Sequence, residues 1–451
     1  MMRAIPQVNA VPAFRPPAIR RHRLANGLDL MIVTRRGLPV FDAQLITRGG
    51  AAVDPPRLAG RASLTAEMLD EGTHRRSALE ISSAVELLGA DLDLRAGWDA
   101  CYFSMHGLTP QLDPILDLLA EVALEPSFPA GEFDRKHEER LHALAQERDE
   151  PRTVAVKSLA TAVFGADHPY GRPLGGTLET VQRMSPADIA AYYSGWFAPA
   201  AAHLILVGDL DEDSVIRAVD ARMGGWQPGE PDAAAANGSP SQRANPPRIY
   251  LIDRPGAAQS EVRAGHVGVA RHTPDYFALL VLNTILGGSF KSRLNMKLRE
   301  EKGFTYGASS GFSFRRAGGA FTAGTAVSTD ATVETVAIIA EEIERMRDEP
   351  VSAEELVRAR NYLAIGFMRN FETTADITAH LASMALYDLP LDYLGEYPER
   401  IENVTASDVL AAAQRHLHPE ELSVVVVGDA VQVEEPLSGT RLGPVQRTEA
   451  E

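Results

Sequence analysis

The chain has 451 residues, of which 45% are apolar and 23% charged, and this profile predicts a globular protein of two to four domains that each bury a core. The net charge of −17 repels phosphate backbones and anionic membranes, so we expect neither nucleic acid nor a membrane as a partner. The single cysteine, Cys101, excludes an intrachain disulfide and a thiolate zinc cluster.

Residues 1–18 carry prolines at positions 6, 12, 16 and 17, which predict a flexible arm and interrupt any signal-peptide core. No segment approaches the ~18 apolar residues that a membrane helix needs. We therefore expect a cytoplasmic or periplasmic protein.

The first domain is predicted over residues 19–226. The Asn26-Gly27 turn opens two alternating strands, and Ser77 with Glu80 forms a capping-box pattern at the start of a helix. Cys101 lies in an alternating stretch and is predicted to be a packed small hydrophobic residue. Helices are predicted over 55–69, 77–88, 112–124, 129–148, 155–164 and 185–193, with strands over 92–108 and 203–208.

An internal repeat predicts that a second copy of this domain occupies residues 248–433. MSPADI at 184–189 matches VTASDV at 404–409, and LVGD at 206–209 matches VVGD at 426–429. The offset is 220 residues in both cases (404 − 184 and 426 − 206). Residues 227–247 are rich in Pro, Gly, Ala, Ser and Asn and predict a linker, and 434–451 predict a flexible tail.

Groups of strands interleaved with pairs of helices indicate an α+β fold. We expect two homologous α/β-sandwich domains, each a mostly antiparallel sheet with helices packed on one face.

The stretch from Leu286 to Tyr306 predicts an amphipathic helix that is followed by an extended run from Phe304. Gly303 is suited to end the helix, because glycine adopts the left-handed conformation without steric cost. Arg299 and Tyr306 then lie on two elements joined by one tight turn. Both side chains donate hydrogen bonds, and such a pair can polarise a carbonyl and stabilise an oxyanion. The alternative is a surface arginine and a half-buried strand tyrosine.

Several motifs together resemble the pitrilysin/insulinase-type zinc metallopeptidases (inverzincins), in particular their short, two-domain, processing-peptidase-like branch. The resemblance covers residues 20–430, and its most specific part is an Arg and a Tyr at the spacing of Arg299 and Tyr306. The motifs are Asn26-Gly27, Gly60 with Glu71-Gly72-Thr73, His168-Pro169-Tyr170-Gly171, Gln259-Ser260, Ser292-Arg293-Leu294 and Leu298 to Gly303.

The sequence departs from this family at the metal site. Members that cleave peptides carry H-x-x-E-H, in which two His bind zinc and the Glu activates water. The matching positions hold Ser63, Ala66 and Glu67, and the further glutamate ligand is replaced by Ala143, with Glu138, Glu139 and Glu147 nearby. The resemblance therefore implies no metal and no cofactor in this chain.

Three functional hypotheses remain open. In the first, the chain is the non-catalytic subunit of a heterodimeric zinc peptidase: an H-x-x-E-H-bearing paralogous subunit brings zinc, and Arg299 and Tyr306 bind the peptide substrate. In the second, it is a structural or interaction protein of the same fold. In the third, it is an independent enzyme with altered metal ligands around Glu67 and Glu71. His74 would share their helical face if the helix passed Gly72.

Overall fold

The structure, a computed structural model, describes residues 14–227 and 246–449. Within these residues the strands form two six-stranded sheets, one in each predicted domain. The first sheet has the order β1-β2-β6-β3-β5-β4 and is antiparallel except between β2 and β6. Its strands are β1 (Arg20–Arg23), β2 (Asp29–Thr34), β3 (Val40–Arg48), β4 (Asp91–Ala96), β5 (Ala100–Leu108) and β6 (Ala202–Gly208).

The helices of the first domain begin at residues that cap them. Ser77 and Glu80 form the predicted capping box, and Ser185 and Asp188 form another. The helices are α1 (Arg61–Glu67), α2 (Ala78–Leu88), α3 (Leu112–Leu124), α4 (Ala130–Glu147), α5 (Pro151–Phe164), α6 (Leu178–Gln182), α7 (Pro186–Trp196) and α8 (Glu212–Met223).

The second sheet has the order β12-β7-β11-β8-β10-β9. Its strands are β7 (Ile249–Asp253), β8 (Gln259–Val267), β9 (Ser309–Phe312), β10 (Ala320–Ser328), β11 (Ser423–Gly428) and β12 (Val445–Thr448). The helices are α9 (Tyr276–Leu286), α10 (Arg293–Asn295, continued by a π-helix over Met296–Glu301), α11 (Thr332–Asp348), α12 (Ala353–Arg369), α13 (Thr374–Leu386), α14 (Tyr393–Glu402), α15 (Ala406–His416) and α16 (Ala430–Ser438).

The predicted duplication is confirmed by the element positions. Strands β5 and β10 begin at residues 100 and 320, and helices α7 and α15 begin at residues 186 and 406, so both pairs are offset by 220. The α+β fold with two similar domains is confirmed as well. The two sheets differ at one edge: β1 precedes the first sheet in the chain and pairs antiparallel with β2, whereas β12 follows the second and pairs in parallel with β7.

One helix of each domain packs on the sheet of the other domain. Helix α5 packs on β8 and β11 of the second sheet, and α13, its counterpart in the second domain, packs on β3 and β6 of the first. Gly265 on β8 makes room for this packing, since an added Cβ would lie 3.2 Å from Leu159 Cδ2 on α5. The helices of each domain thus cover one face of their own sheet, as predicted, while the opposite face is covered by the other domain.

A polar cluster joins the domains beside these helices. The Asp99 carboxylate accepts hydrogen bonds from Tyr170 Oη (2.7 Å) in the first domain and from the backbone N–H of Arg316 (3.1 Å) in the second. The Arg315 guanidinium lies over the rings of Trp98 (4.4 Å) and Tyr170 (4.5 Å). Tyr170, from the His-Pro-Tyr-Gly motif, therefore has a scaffolding role.

The predicted flexible tail over 434–451 is wrong for its described part. Helix α16 runs to Ser438, and β12 adds to the free edge of β7, which offers unpaired backbone groups. The arm over 1–18 is corrected in its described part too, because Phe14 packs on the rings of Phe367 and Phe371 at 5.5 and 4.8 Å. Residues 1–13, and 228–245 of the linker, lie outside the described residues. Among the described residues, no helix is long and apolar enough to cross a membrane.

The exchange of helices predicts that the two domains unfold together. Leu381 on α13 is fully buried, and Leu381→Ala should lower the free energy of unfolding by about 2–5 kcal/mol because it leaves a cavity. The three tryptophans, Trp98, Trp196 and Trp226, all lie in the first domain. Tryptophan fluorescence therefore reports on that domain and, through Trp98 against Arg315, on its contact with the second domain. We expect this second-domain substitution to lower the urea midpoint measured by fluorescence as much as the midpoint measured by far-UV circular dichroism.

Leu79→Ala is the matched control, because Leu79 is 81% exposed. Its effect should stay within about 0.5 kcal/mol. A fluorescence midpoint that stays in place while the dichroism midpoint falls would show that the domains unfold independently.

Candidate functional site

The helix that carries Arg299 is anchored on its apolar face and ended by glycine, as predicted. Leu294 and Leu298 are fully buried. Gly303 adopts a left-handed conformation (φ 66°), and its N–H donates to the carbonyl of Arg299 (3.2 Å). The segment over Met296–Glu301 is π-helical, a form that often occurs at functional sites.

The Arg299 guanidinium lies at the surface with one face against an aromatic ring. Its Cζ lies 4.6 Å from the centre of the Phe290 ring, and Nε lies 3.4 Å from a Glu300 carboxylate oxygen. The side chain is 37% exposed. Stacking of this kind limits the orientations of a guanidinium while its edge stays open to a ligand.

Tyr306 lies in a loop, and the predicted extended run from Phe304 is wrong, because β9 begins only at Ser309. A local turn replaces the strand: the backbone N–H of Gly307 donates to the Thr305 hydroxyl (3.1 Å), and the buried Thr325 hydroxyl donates to the Gly307 carbonyl (3.0 Å). Tyr306 is 94% exposed, so the half-buried strand tyrosine is excluded.

Asn295 links the helix of Arg299 to the loop of Tyr306. Its side chain is buried; Nδ2 donates to the carbonyl of Ser289 before the helix (3.1 Å), and Oδ1 accepts from the N–H of Ala308 after the loop (2.9 Å). One amide therefore sets where both elements lie. Within residues 14–227 and 246–449, Arg299 and Tyr306 form no hydrogen bond with each other.

The positions of the predicted lost metal site lie on α1 and α4, which pack together. The Ser63 hydroxyl donates to the carbonyl of Leu174 (2.9 Å), and Ala66 is buried. Ala143 on α4 presents only a methyl group. Of these four positions, Glu67 alone carries a side chain that could act as a metal ligand.

Both family models that match the chain come from one family. The model described as "Insulinase (Peptidase family M16)" matches residues 39–178, and the one described as "Peptidase M16 inactive domain" matches residues 183–363. The chain belongs to the insulinase family of peptidases, M16. An uncharacterized zinc protease of Mycobacterium tuberculosis is 27% identical over 387 residues, which is 84% of this chain and 86% of that protein. One of Streptomyces coelicolor is 26% identical over 401 residues, covering 88% and 86%.

The structure is similar to solved structures of M16 proteins and of other proteases. The crystal structure of a peptidase M16 inactive domain from Pseudomonas fluorescens has a TM-score of 0.83 and 29% identity, and covers 91% of this chain and 98% of that one. A protease from Helicobacter pylori has a TM-score of 0.84 at 19% identity, covers 91% and 100%, and shares the fold.

The zinc of active M16 peptidases does not fit the residues on α1 and α4. Glu67 faces the positive charges of Arg140 and Lys136, which would repel a dication. Burial raises the pKa of Glu67, and these two cations only partly oppose the shift. Of the alternative acids, Glu139 pairs with Arg135 (2.8 Å) and Glu147 with Arg140 (3.0 Å).

The alternative ligand set of Glu67, Glu71 and His74 is not brought onto one helical face. Helix α1 ends at Glu67, and Gly72 takes a positive φ of 146°. Glu71 forms ion pairs with Arg135 and with Lys136 (2.9 Å); although burial would raise its pKa, hydrogen bonds from these cations lower it. In the described part of the chain, no group of three or more His, Cys, Asp or Glu residues could hold a metal ion.

Sequence reasoning missed Asn295 and Phe290, which position the two donors. The sequence contains an indication for Asn295, because this amide lies beside the apolar face formed by Leu294 and Leu298. A polar side chain that is buried in such a place is usually hydrogen-bonded. No signal identified Phe290, because its contact with Arg299 depends on the turn before the helix.

Asp54 holds the start of α1 and predicts a pH dependence. Its buried carboxylate accepts from the N–H groups of Gly60 (3.1 Å) and Ala62 (3.2 Å), and burial raises its pKa to about 7. An unfolded aspartate titrates near pH ~4, so the folded state holds the extra proton between these values. Stability contributed by this proton is lost as the pH rises.

We expect the unfolding free energy of the natural protein minus that of Asp54→Asn to fall by about 1.4 kcal/mol per pH unit as the pH rises from ~4 to ~7. Urea denaturation across this range measures it. Asp211→Asn is the control, since Asp211 also caps a helix but is exposed and has a lowered pKa. Its difference should be flat over the same range, and a flat difference for Asp54→Asn would contradict the assignment.

Proposed function

We propose that this M16 protein is the non-catalytic subunit of a heterodimeric zinc peptidase. A paralogous subunit with an intact H-x-x-E-H motif would bring the metal and the attacking water. This chain would contribute Arg299 and Tyr306, which bind the peptide substrate and stabilise the oxyanion during hydrolysis. The observation that carries the proposal is that an almost fully exposed tyrosine and a stacked, accessible arginine lie on two elements linked by one buried amide.

Physical chemistry supports a binding role for these two side chains. A phenol that is 94% exposed contributes nothing to the core, yet the Asn295 and Thr325 hydrogen bonds hold its loop in place. The guanidinium of Arg299 presents several N–H donors in one plane, an arrangement that suits a carbonyl or an oxyanion. Two donors held in place before the substrate arrives need little reorganisation, which is the condition under which an oxyanion is stabilised effectively.

The surroundings of α1 support the part of the proposal in which the metal comes from another polypeptide. A zinc site needs about three protein ligands, and this region offers one carboxylate that faces two cations. The same subunit can thus retain the donors for the substrate while it lacks the ion.

The first test measures activity in the presence of the partner. Arg299→Ala and Tyr306→Phe should each reduce peptide hydrolysis by the mixed subunits at least tenfold, because one lost oxyanion donor typically costs ~10²–10³ in turnover. Lys297→Ala, on the same helix, and Tyr250→Phe, on β7, are matched controls and should leave the rate unchanged.

Full activity of the partner without this chain would refute the proposal. Activity that requires the chain but is insensitive to both substitutions would instead indicate a structural subunit.

The second test measures metal binding by this chain alone. We expect clearly less than one zinc per chain by atomic absorption after dialysis against micromolar zinc, and no peptide hydrolysis. The partner subunit, treated in parallel, is the positive control. One tightly bound zinc per chain together with hydrolysis would show an independent enzyme with altered ligands.

A further inference from the structure

A groove along α12 lies outside the site described above, and its lining includes Phe367, against which Phe14 packs. Its volume is about 1080 Å³, and its wall consists mainly of side chains from α12, among them Val357 and Tyr362. Lys291 lies on its rim, and Phe367 and Tyr397 also line it. A smaller cavity of about 230 Å³ adjoins the groove and shares Lys291, Arg358 and Tyr362 with it.

The groove is continuous with the surface of Arg299. Phe290 lines the smaller cavity, and the same ring carries the Arg299 guanidinium at 4.6 Å. A peptide whose carbonyl meets Arg299 can therefore continue over Phe290 and into the groove without leaving the protein surface.

The charge of the groove is opposite to that of the protein. Its lining contains three cations, Lys291, Arg358 and Arg369, and one carboxylate, Glu354. Arg358 pairs with Glu354 (3.5 Å), so the net positive charge comes from Lys291 and Arg369. Glu355 in the adjoining cavity is neutralised by two hydrogen bonds from Arg293 (2.7 and 3.1 Å). On a chain with a net charge of −17, a basic groove favours an acidic ligand, whereas the remaining surface repels one.

The groove also exposes apolar surface. Val357 and Tyr362 are 49% and 57% exposed, and Phe290 in the adjoining cavity is 58% exposed. Contiguous exposed apolar side chains with a charged rim are typical of sites that bind peptides or proteins.

The internal duplication relates this groove to the lost metal site. Helices α12 and α13 are the counterparts of α4 and α5. The residues that precede α4 and α12, Pro129 and Ser352, are 223 positions apart, and so are those that precede α5 and α13, Glu150 and Thr373. Gly366 is therefore the counterpart of Ala143. A Cβ added to Gly366 would meet no atom within 4 Å, so the groove has open space beside this position.

We propose that the groove binds an acidic peptide with aromatic or aliphatic side chains, as the part of the substrate that extends from Arg299 and Tyr306. The inference rests on the proposed function, because it names the substrate class of that site. Lys291 and Arg369 bind the carboxylates, while Val357 and Tyr362 pack against the apolar side chains.

The test uses the isolated full-length chain and two fluorescein-labelled amphipathic peptides. One consists of leucine, phenylalanine and glutamate, and the other has lysine in place of every glutamate. By fluorescence anisotropy, the acidic peptide should bind at least ~10-fold more tightly at low salt. Gly366→Leu, which fills the groove at a position with open space, should weaken this binding at least ~10-fold.

Gly195→Leu is the matched control, because Gly195 is also a helical glycine with no atom near an added Cβ, on α7. It should bind the acidic peptide as the natural protein does. The double variant Lys291→Glu/Arg369→Glu should lose the preference for the acidic peptide, whereas Arg152→Glu, at an exposed arginine of α5, should keep it.

Equal affinity for the two peptides, or binding that Gly366→Leu leaves unchanged, would overturn the inference. Self-association of the chain that Gly366→Leu abolishes would also overturn it, since the occupant would be a second copy. Binding to the isolated chain does not require hydrolysis. A negative result here therefore leaves the test of Arg299 and Tyr306 intact, and the converse holds too.

Discussion

The exchange of α5 and α13 between the domains is the contact on which the rest of the structure depends. Each sheet has two apolar faces, and a domain on its own covers only one of them. Leu159 reaches β8 where Gly265 leaves space, and the core around α13 includes side chains of both sheets. The relative position of the domains is thus fixed by packing rather than by the linker, and surfaces contributed by each domain keep a constant relation.

On this rigid base the two domains have come to differ. In the first, α1 and α4 carry Ser63, Ala66 and Ala143, and the remaining acid, Glu67, faces Arg140 and Lys136. In the second, the equivalent region is an open groove with a basic rim, next to a pair of exposed donors. The first domain thus lacks the side chains that would hold an ion, whereas the second carries the exposed donors and the groove for which we propose peptide binding.

Much of this was predictable from the sequence because it depends on local rules or on repetition. The capping box at Ser77, the glycine stop at Gly303 and the buried Leu294 and Leu298 follow from neighbouring residues alone. The offset of 220 residues gave the two similar domains. The absence of H-x-x-E-H was evident from the motif positions.

The rest depends on contacts between distant segments. The local sequence at Thr305 predicts a strand, but hydrogen bonds from Thr325 on β10 hold this segment in a turn. The polar residues near the end of the chain predict a flexible tail, yet Val445–Thr448 form a strand that pairs with the edge strand β7. The cations beside Glu67 come from α4, more than sixty residues along the chain, and no local pattern places them there.

The reciprocal helices have a consequence for how the protein could be encoded. Each half carries the helix that covers the second face of the other half's sheet. A break in the main chain between Gln227 and Pro246 would therefore leave two fragments that still associate through two separate apolar surfaces. A gene divided at that point would then yield complementing polypeptides rather than two autonomous proteins. The two polypeptides would be held together by the noncovalent packing of α5 and α13, without a continuous main chain.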